Sequence, residues 1–186
     1  MRRLILISAV CLCALPLWAA DYPRTELFGS AGWTHWWDNE GAPVDGFSVS
    51  GGVGRRLLPQ FALEFETLGF FGRRGVIALG PEDRARCVQF TANGLLYVYR
   101  HPRARVFLLL GAGGAHSESK TDFGDFHASR SGTGFVGNAG MGAEIDLNDH
   151  WSLRPEFRLV AGNGGGSSVA PFTAEVRGSL GLAYRW

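Results

Sequence analysis

Charged residues two positions apart recur along this chain: Glu64 and Glu66, Glu144 and Asp146, the run Arg154, Glu156, Arg158, then Glu175 and Arg177, with Arg185 beyond. In an extended strand, a spacing of two puts every member of such a set on one face. A carboxyl group held beside a guanidinium can serve as a general acid or base. The same arrangement also serves structure, because opposite charges that pair and hydrogen-bond can fill a narrow polar interior, where an unpaired buried charge is costly. The second use is the expected one here, an interior charge network rather than a catalytic centre.

Other chemistry-bearing residues are weaker candidates. His116, Ser117 and Glu118 contain a base, a nucleophile and an acid, but a working set must converge in space, and strand neighbours point to opposite faces. His116, Asp122, Asp125 and His127 combine imidazole and carboxylate groups suited to a divalent ion, without a recognised ligand spacing. "GNGGGSS" lacks the lysine and the strand-to-helix context of a phosphate loop and reads as a surface loop. Cys87 reads as a small apolar residue. Neither cofactor nor metal is expected.

The elements that position these groups are strands. From Phe172 to Trp186 ("FTAEVRGSLGLAYRW"), Phe, Ala, Val, Gly, Leu, Leu, Tyr and Trp alternate with Thr, Glu, Arg, Ser, Gly, Ala and Arg. That is a period of two over a whole strand. Trp151–Leu159 repeats it, and so does Phe135–Leu147. Glu26–Trp37, Phe47–Leu57, Phe61–Phe71, Val88–Tyr99 and Arg105–His116 have the length and the aromatic or branched content of strands, although "RVFLLLGAGGAH" is too apolar for its faces to be assigned. No stretch keeps a helical spacing.

Short links at "LLPQ", "HPRA" and "NDH" carry turn-forming residues. They alternate with longer polar links, "DNEGAPVDG", "GRRGVIALGPEDRAR", "SESKTDFGDFHASRSGTG" and "AGNGGGSSVAP". All short turns therefore fall at one end of an up-and-down meander. With apolar faces turned outward, this is the pattern of an outer-membrane barrel. Trp33, Trp36 and Trp37 at the long-loop end, with Trp151, Tyr184 and Trp186 at the short-turn end, are the expected membrane-interface aromatics.

The start of the chain agrees with export. Residues 1–20, "MRRLILISAVCLCALPLWAA", have the basic start, short apolar run and small terminal residues of a signal peptide, leaving residues 21–186 as one barrel domain. Loss of Arg2 and Arg3 lowers 18 basic residues to 16, against 17 acidic ones. Nucleic acid is not an expected partner of so balanced a chain. Of the three cysteines, Cys11 and Cys13 leave with the signal, so Cys87 has no partner for an internal disulfide.

"RTELFGSAGWTH", "ANGLLYVYR", "RVFLLLGAGGAH", "GNAGMGAEIDL", "WSLRPEFRL" and "GSLGLAYRW" together resemble the small outer-membrane β-barrel proteins related to the transmembrane domain of outer membrane protein A. The resemblance implies an all-β, eight-stranded antiparallel up-and-down transmembrane β-barrel. It further implies that Tyr184 and Trp186 form an assembly signal read by the barrel assembly machinery, with tryptophan where that family usually has phenylalanine. The expected protein is a monomer embedded in outer-membrane lipid, non-enzymatic, with an envelope role or with loops for adhesion or binding. Two alternatives stay open: a lipid A deacylase-like enzyme, and a soluble lipocalin-like barrel with its apolar faces inward.

Overall fold

The computed structural model describes residues 25–37, 43–74, 82–123, 126–163 and 173–186. They form eight strands: β1 (Thr25–Trp37), β2 (Pro43–Leu58), β3 (Phe61–Arg74), β4 (Glu82–His101), β5 (Ala104–Phe123), β6 (Phe126–Asp146), β7 (Trp151–Gly162) and β8 (Thr173–Arg185). Each pairs antiparallel with the next, and β8 pairs with β1 from Glu26↔Arg185 to Trp37↔Ala174, closing an up-and-down barrel. Closure leaves no unpaired edge, as a sheet in hydrocarbon requires. The expected signal segment lies outside the described residues.

The three short turns share one rim. Asn148 shows why its turn is tight: its side-chain Oδ1 accepts hydrogen bonds from the backbone N–H groups of His150 and Trp151, at 2.9 and 2.8 Å. The opposite rim differs from expectation. "SESKTDFGDFHASRSGTG" was expected as a long loop, but most of it is paired strand, with the β5–β6 ladder running unbroken to Phe123↔Phe126. β4 likewise begins at Glu82, six residues before the expected start. Serine and threonine recur through the extra length of β5 and β6. They sit well on a solvated strand yet give no apolar alternation by which to recognise one.

Side-chain direction settles the inside-out question. Leu180 and Leu182 are 54% and 47% exposed, while their strand neighbours Arg177, Ala183 and Arg185 are buried. Phe65, Phe90, Leu110, Phe135, Met141 and Phe157 also face outward. An inward-facing apolar set, which the lipocalin alternative needs, is therefore contradicted. On β6 the outward apolar positions run from Ile145 to Phe135. At about 3.3 Å per residue and a tilt near 40°, that is a band about 25 Å tall, the height expected of an outer-membrane barrel.

Glycine allows one close strand approach. A Cβ built on Gly113 would run into the carbonyl oxygen of Phe90 and lie 2.8 Å from Thr91 Cα, whereas one on Gly178 would meet nothing within 4 Å. Backbone cannot step aside as a side-chain tip can. Gly113→Val is expected to destabilise the barrel by about 1–3 kcal/mol, and Gly178→Ala to leave it unchanged. Urea unfolding in lipid vesicles, followed by electrophoretic mobility, would measure both.

Candidate functional sites in the lumen and at the long-loop rim

Inside the short-turn half, the charged faces converge. Arg154 on β7 is 2% exposed. Its Nη1 lies 2.5 Å from Glu64 Oε1 and 3.1 Å from Glu26 Oε1, its Nη2 donates to Glu64 Oε2 at 2.8 Å, and its Nε donates to Glu156. The guanidinium also stacks over Phe28 at 4.6 Å and Phe107 at 4.9 Å. Its neighbours thus come from β1, β3, β5 and β7, alternate strands around the barrel. One side chain therefore reaches across a lumen that eight strands make only wide enough for side chains.

The network continues on both sides. Towards the long-loop end, Glu156 Oε2 accepts from Arg158 Nη2 at 2.7 Å, Arg158 also pairs with Glu66, and Arg177 Nη2 lies 3.5 Å from Glu66 Oε1. Towards the short-turn end, Glu144 gathers Arg105 at 3.1 Å, Arg185 at 2.9 Å and Arg56 at 3.5 Å, and accepts from the Tyr97 hydroxyl at 2.7 Å. Asp146 holds Arg105 and Arg185 again, at 2.7 and 2.6 Å. Glu175 Oε2 accepts from Gln89 Nε2 at 2.8 Å.

All ten charged residues singled out in the sequence face the lumen, joined by Glu26, Arg56, Arg105 and Tyr97, which sequence reasoning missed. Counting back from outward-facing Trp33 in steps of two reaches Leu27, which leaves Glu26 on the lumen face. Arg105 opens the strand whose faces the pattern left unassigned. Near the long-loop end the lumen turns apolar, with Val44, Leu68, Phe70, Ala85 and Cys87 packed together. Cys87 is a free, buried member of that cluster.

The aromatic assignments need one correction. Trp33 and Trp37 face outward, as do Trp151, Tyr184 and Trp186, but Trp36 points into the lumen and meets Phe70 edge-on at 5.8 Å. Consecutive strand residues cannot share a face, so Trp36 and Trp37 cannot both be interfacial. The outer ring at the long-loop end is instead Trp33, Phe47 and Phe71 on paired positions of β1, β2 and β3, continued by Phe90 and Phe135 either side of Gly114. At the short-turn end Tyr184 packs with Trp151, Trp186 and His150, with ring centroids 5.1, 6.0 and 5.7 Å away.

Beyond the outer ring the surface becomes polar. His35 Nδ1 and Asp45 Oδ1 are 2.6 Å apart, and this hydrogen bond holds the exposed Asp45 carboxyl below its usual range. His116 faces out and shares a 3.0 Å hydrogen bond with Thr133 Oγ1. Ser117 faces in, and Glu118 lies 3.3 Å from Lys120. The base, nucleophile and acid are thereby divided between two faces. Of the candidate metal ligands, His116 lies six residues from Asp122, whose backbone pairs with His127. Asp125 and "GNGGGSS", except for Gly162 and Asn163, lie outside the described residues.

A closed barrel with an apolar belt, aromatic rings at two levels and an ion-paired lumen is a transmembrane β-barrel of the outer-membrane type. The chain belongs to the outer membrane protein beta-barrel domain family, whose model matches residues 4–182. It is similar in structure to Neisserial surface protein A, with a TM-score of 0.63, 13% identity, and coverage of 87% of this chain and 97% of that one. It is also similar to Ail, the attachment invasion locus protein of Yersinia pestis, with a TM-score of 0.54, 15% identity, and coverage of 88% and 99%. At such identities the likeness is one of fold. No curated protein matches the chain in sequence.

Proposed function

We propose that this protein is a non-enzymatic, monomeric outer-membrane barrel that presents a surface for adhesion or binding at its long-loop rim. The observation that carries this reading is the continuation of β4, β5 and β6 beyond the apolar band as paired, polar strands. A paired extension holds side chains at fixed positions, which a free loop of equal length does only at a larger entropic cost. The surface and attachment names of the two similar barrels are consistent with that role. The division of His116 from Ser117 speaks against the deacylase-like alternative.

The decisive experiment combines location and surface exposure. Heated and unheated outer-membrane fractions should show the mobility shift of a folded barrel, and an epitope tag inserted between Phe123 and Phe126 should be reached by antibody on intact cells. A product recovered in soluble periplasm, or a tag hidden from antibody, would overturn the reading. Export is expected to remove residues 1–20, leaving Asp21 as the first residue by intact mass. Lipid A mass spectra should not depend on the protein; a change abolished by His116→Ala would establish the enzyme instead.

Tyr184 and Trp186 are proposed to act with the barrel assembly machinery. Trp186→Phe is expected to preserve outer-membrane yield and Trp186→Ser to reduce it. Equal yields from all three would show that the aromatic at this position is not an assembly determinant.

A further inference from the structure

Pro155 stands inside β7, in a barrel whose strands are all paired on both sides. Proline cannot donate to a ladder and belongs to edge strands or bulges. The ladders show the consequence. β8 pairs with β1 without a break from Glu26↔Arg185 to Trp37↔Ala174, β7 with β8 from Trp151↔Tyr184 to Gly162↔Thr173, and β5 with β6 from Ala104↔Ile145 to Phe123↔Phe126. Between β6 and β7 the register stops at Gly142↔Glu156 and resumes at Ile145↔Leu153 with the same offset. Ala143 and Glu144 of β6 and Arg154 and Pro155 of β7 therefore have no ladder partner across this seam.

The phase of the seam identifies the group left over. Asn163 N donates to Phe135 O at 3.1 Å, and Leu147 N to Trp151 O at 2.9 Å. In an antiparallel pair, alternate residue pairs exchange both hydrogen bonds, so stepping by two from either end makes Ala143 and Pro155 such a pair. The Ala143 carbonyl thus faces a nitrogen that carries no hydrogen. It lies within the apolar band, between the outward-facing Met141 and Ile145, where an unsatisfied backbone group is costly. The lumen side does not tie the strands together either. Glu144 turns to Arg56, Arg105, Arg185 and Tyr97, and Arg154 to Glu26, Glu64 and Glu156. Close by on the same face, Ser152 Oγ is fully buried without a hydrogen-bond partner.

We propose that the barrel opens locally along the β6–β7 seam at Pro155, and that this lateral opening admits water from the short-turn rim to the Glu144 and Arg154 network. Only Ile145↔Leu153 and Asp146↔Ser152 separate the gap from the short turn, and strands part first where ladder bonds are few. An entering water donates to the Ala143 carbonyl and hydrogen-bonds Ser152 Oγ, the two groups that the closed seam leaves unsatisfied. The ladder between β8 and β1, where the chain closes on itself, stays shut. The opening lies at the end opposite the rim proposed for adhesion, so the two readings stand or fall separately.

The test is hydrogen exchange of the full chain folded in nonionic maltoside micelles, read amide by amide by NMR. On β6 the amides of Ala143 and Ile145 face β7, whereas those of Gly142 and Glu144 face β5, in phase with Asp146 N donating to Arg103 O. One strand thereby supplies both the seam and its control at the same depth. Ala143 and Ile145 should exchange about tenfold or more faster than Gly142 and Glu144, and faster than the amides bonded between β8 and β1. Pro155→Ala restores the missing donor and should remove most of that difference, while the heat-dependent mobility of the folded barrel persists. In a Cys87→Ser chain, Ser152→Cys should react with a charged thiol reagent, and more slowly once Pro155→Ala is added. Equal exchange on the two sides of β6, fastest exchange at the β8–β1 seam, or exchange and labelling unchanged by Pro155→Ala would each overturn the proposal.

Discussion

Arg154→Ala is expected to lower the unfolding free energy of the vesicle-embedded barrel by about 3–5 kcal/mol, the cost of leaving buried charge unpaired. Arg154 is the cation shared by Glu26, Glu64 and Glu156. Glu156 keeps Arg158 and Glu26 keeps Arg185 at 3.6 Å, so Glu64 loses most. Arg154→Lys should recover only part of the loss, because an ammonium group cannot donate in a planar fork to both Glu64 oxygens or lie flat between Phe28 and Phe107. Arg154→Met combined with Glu64→Gln should recover more, since removing both charges of a buried pair is far milder than removing one. Urea titrations followed by mobility would rank the three variants. A single alanine variant within 1 kcal/mol of the parent would show that solvent, rather than Arg154, neutralises the carboxylates.

Much of this arrangement was legible in the amino-acid order, for a physical reason. A strand with lipid on one side and a packed lumen on the other must alternate strictly, and β7 and β8 do so residue by residue. Pro155 respects the rule by facing outward, where the β6–β7 ladder is interrupted between Gly142↔Glu156 and Ile145↔Leu153. Legibility failed where one of the two environments was missing. Past Val88, His116 and Thr133 there is water on the outside, so alternation fades although pairing continues. Along "RVFLLLGAGGAH", Phe107 and Leu109 face the lumen with Arg105, and an apolar interior residue cannot be told by type from a lipid-facing one. Trp36 misled for the same reason: tryptophan suits an interface, but parity placed it inside. The Gln89–Glu175 hydrogen bond was not legible at all, because it joins β4 to β8 across the lumen.

Leu180→Arg is expected to cost about 2–4 kcal/mol, the penalty for a basic residue at the bilayer midplane. Leu180 lies six residues from Trp186 and six from Ala174, midway along the outward face of β8, between Ala31 and Pro155 of the neighbouring strands. Three residues away on the same strand, Arg177 is buried without such a penalty, because parity turns it towards Glu66. The same side chain is therefore acceptable or destructive according to whether its position is odd or even. Depth should grade the effect: Leu182→Arg should cost less than Leu180→Arg, and Tyr184→Arg about 0–1 kcal/mol in charge penalty, in addition to lost contacts with Trp151 and Trp186. The decisive comparison repeats the series in vesicles whose hydrocarbon core is several ångströms thinner. A lipid origin requires the Leu182 variant to recover stability there, as its guanidinium comes within reach of the headgroups. Equal penalties at 180 and 182, unchanged by thickness, would mean that the outward leucines contact protein rather than lipid, and the membrane assignment of this face would fall with them.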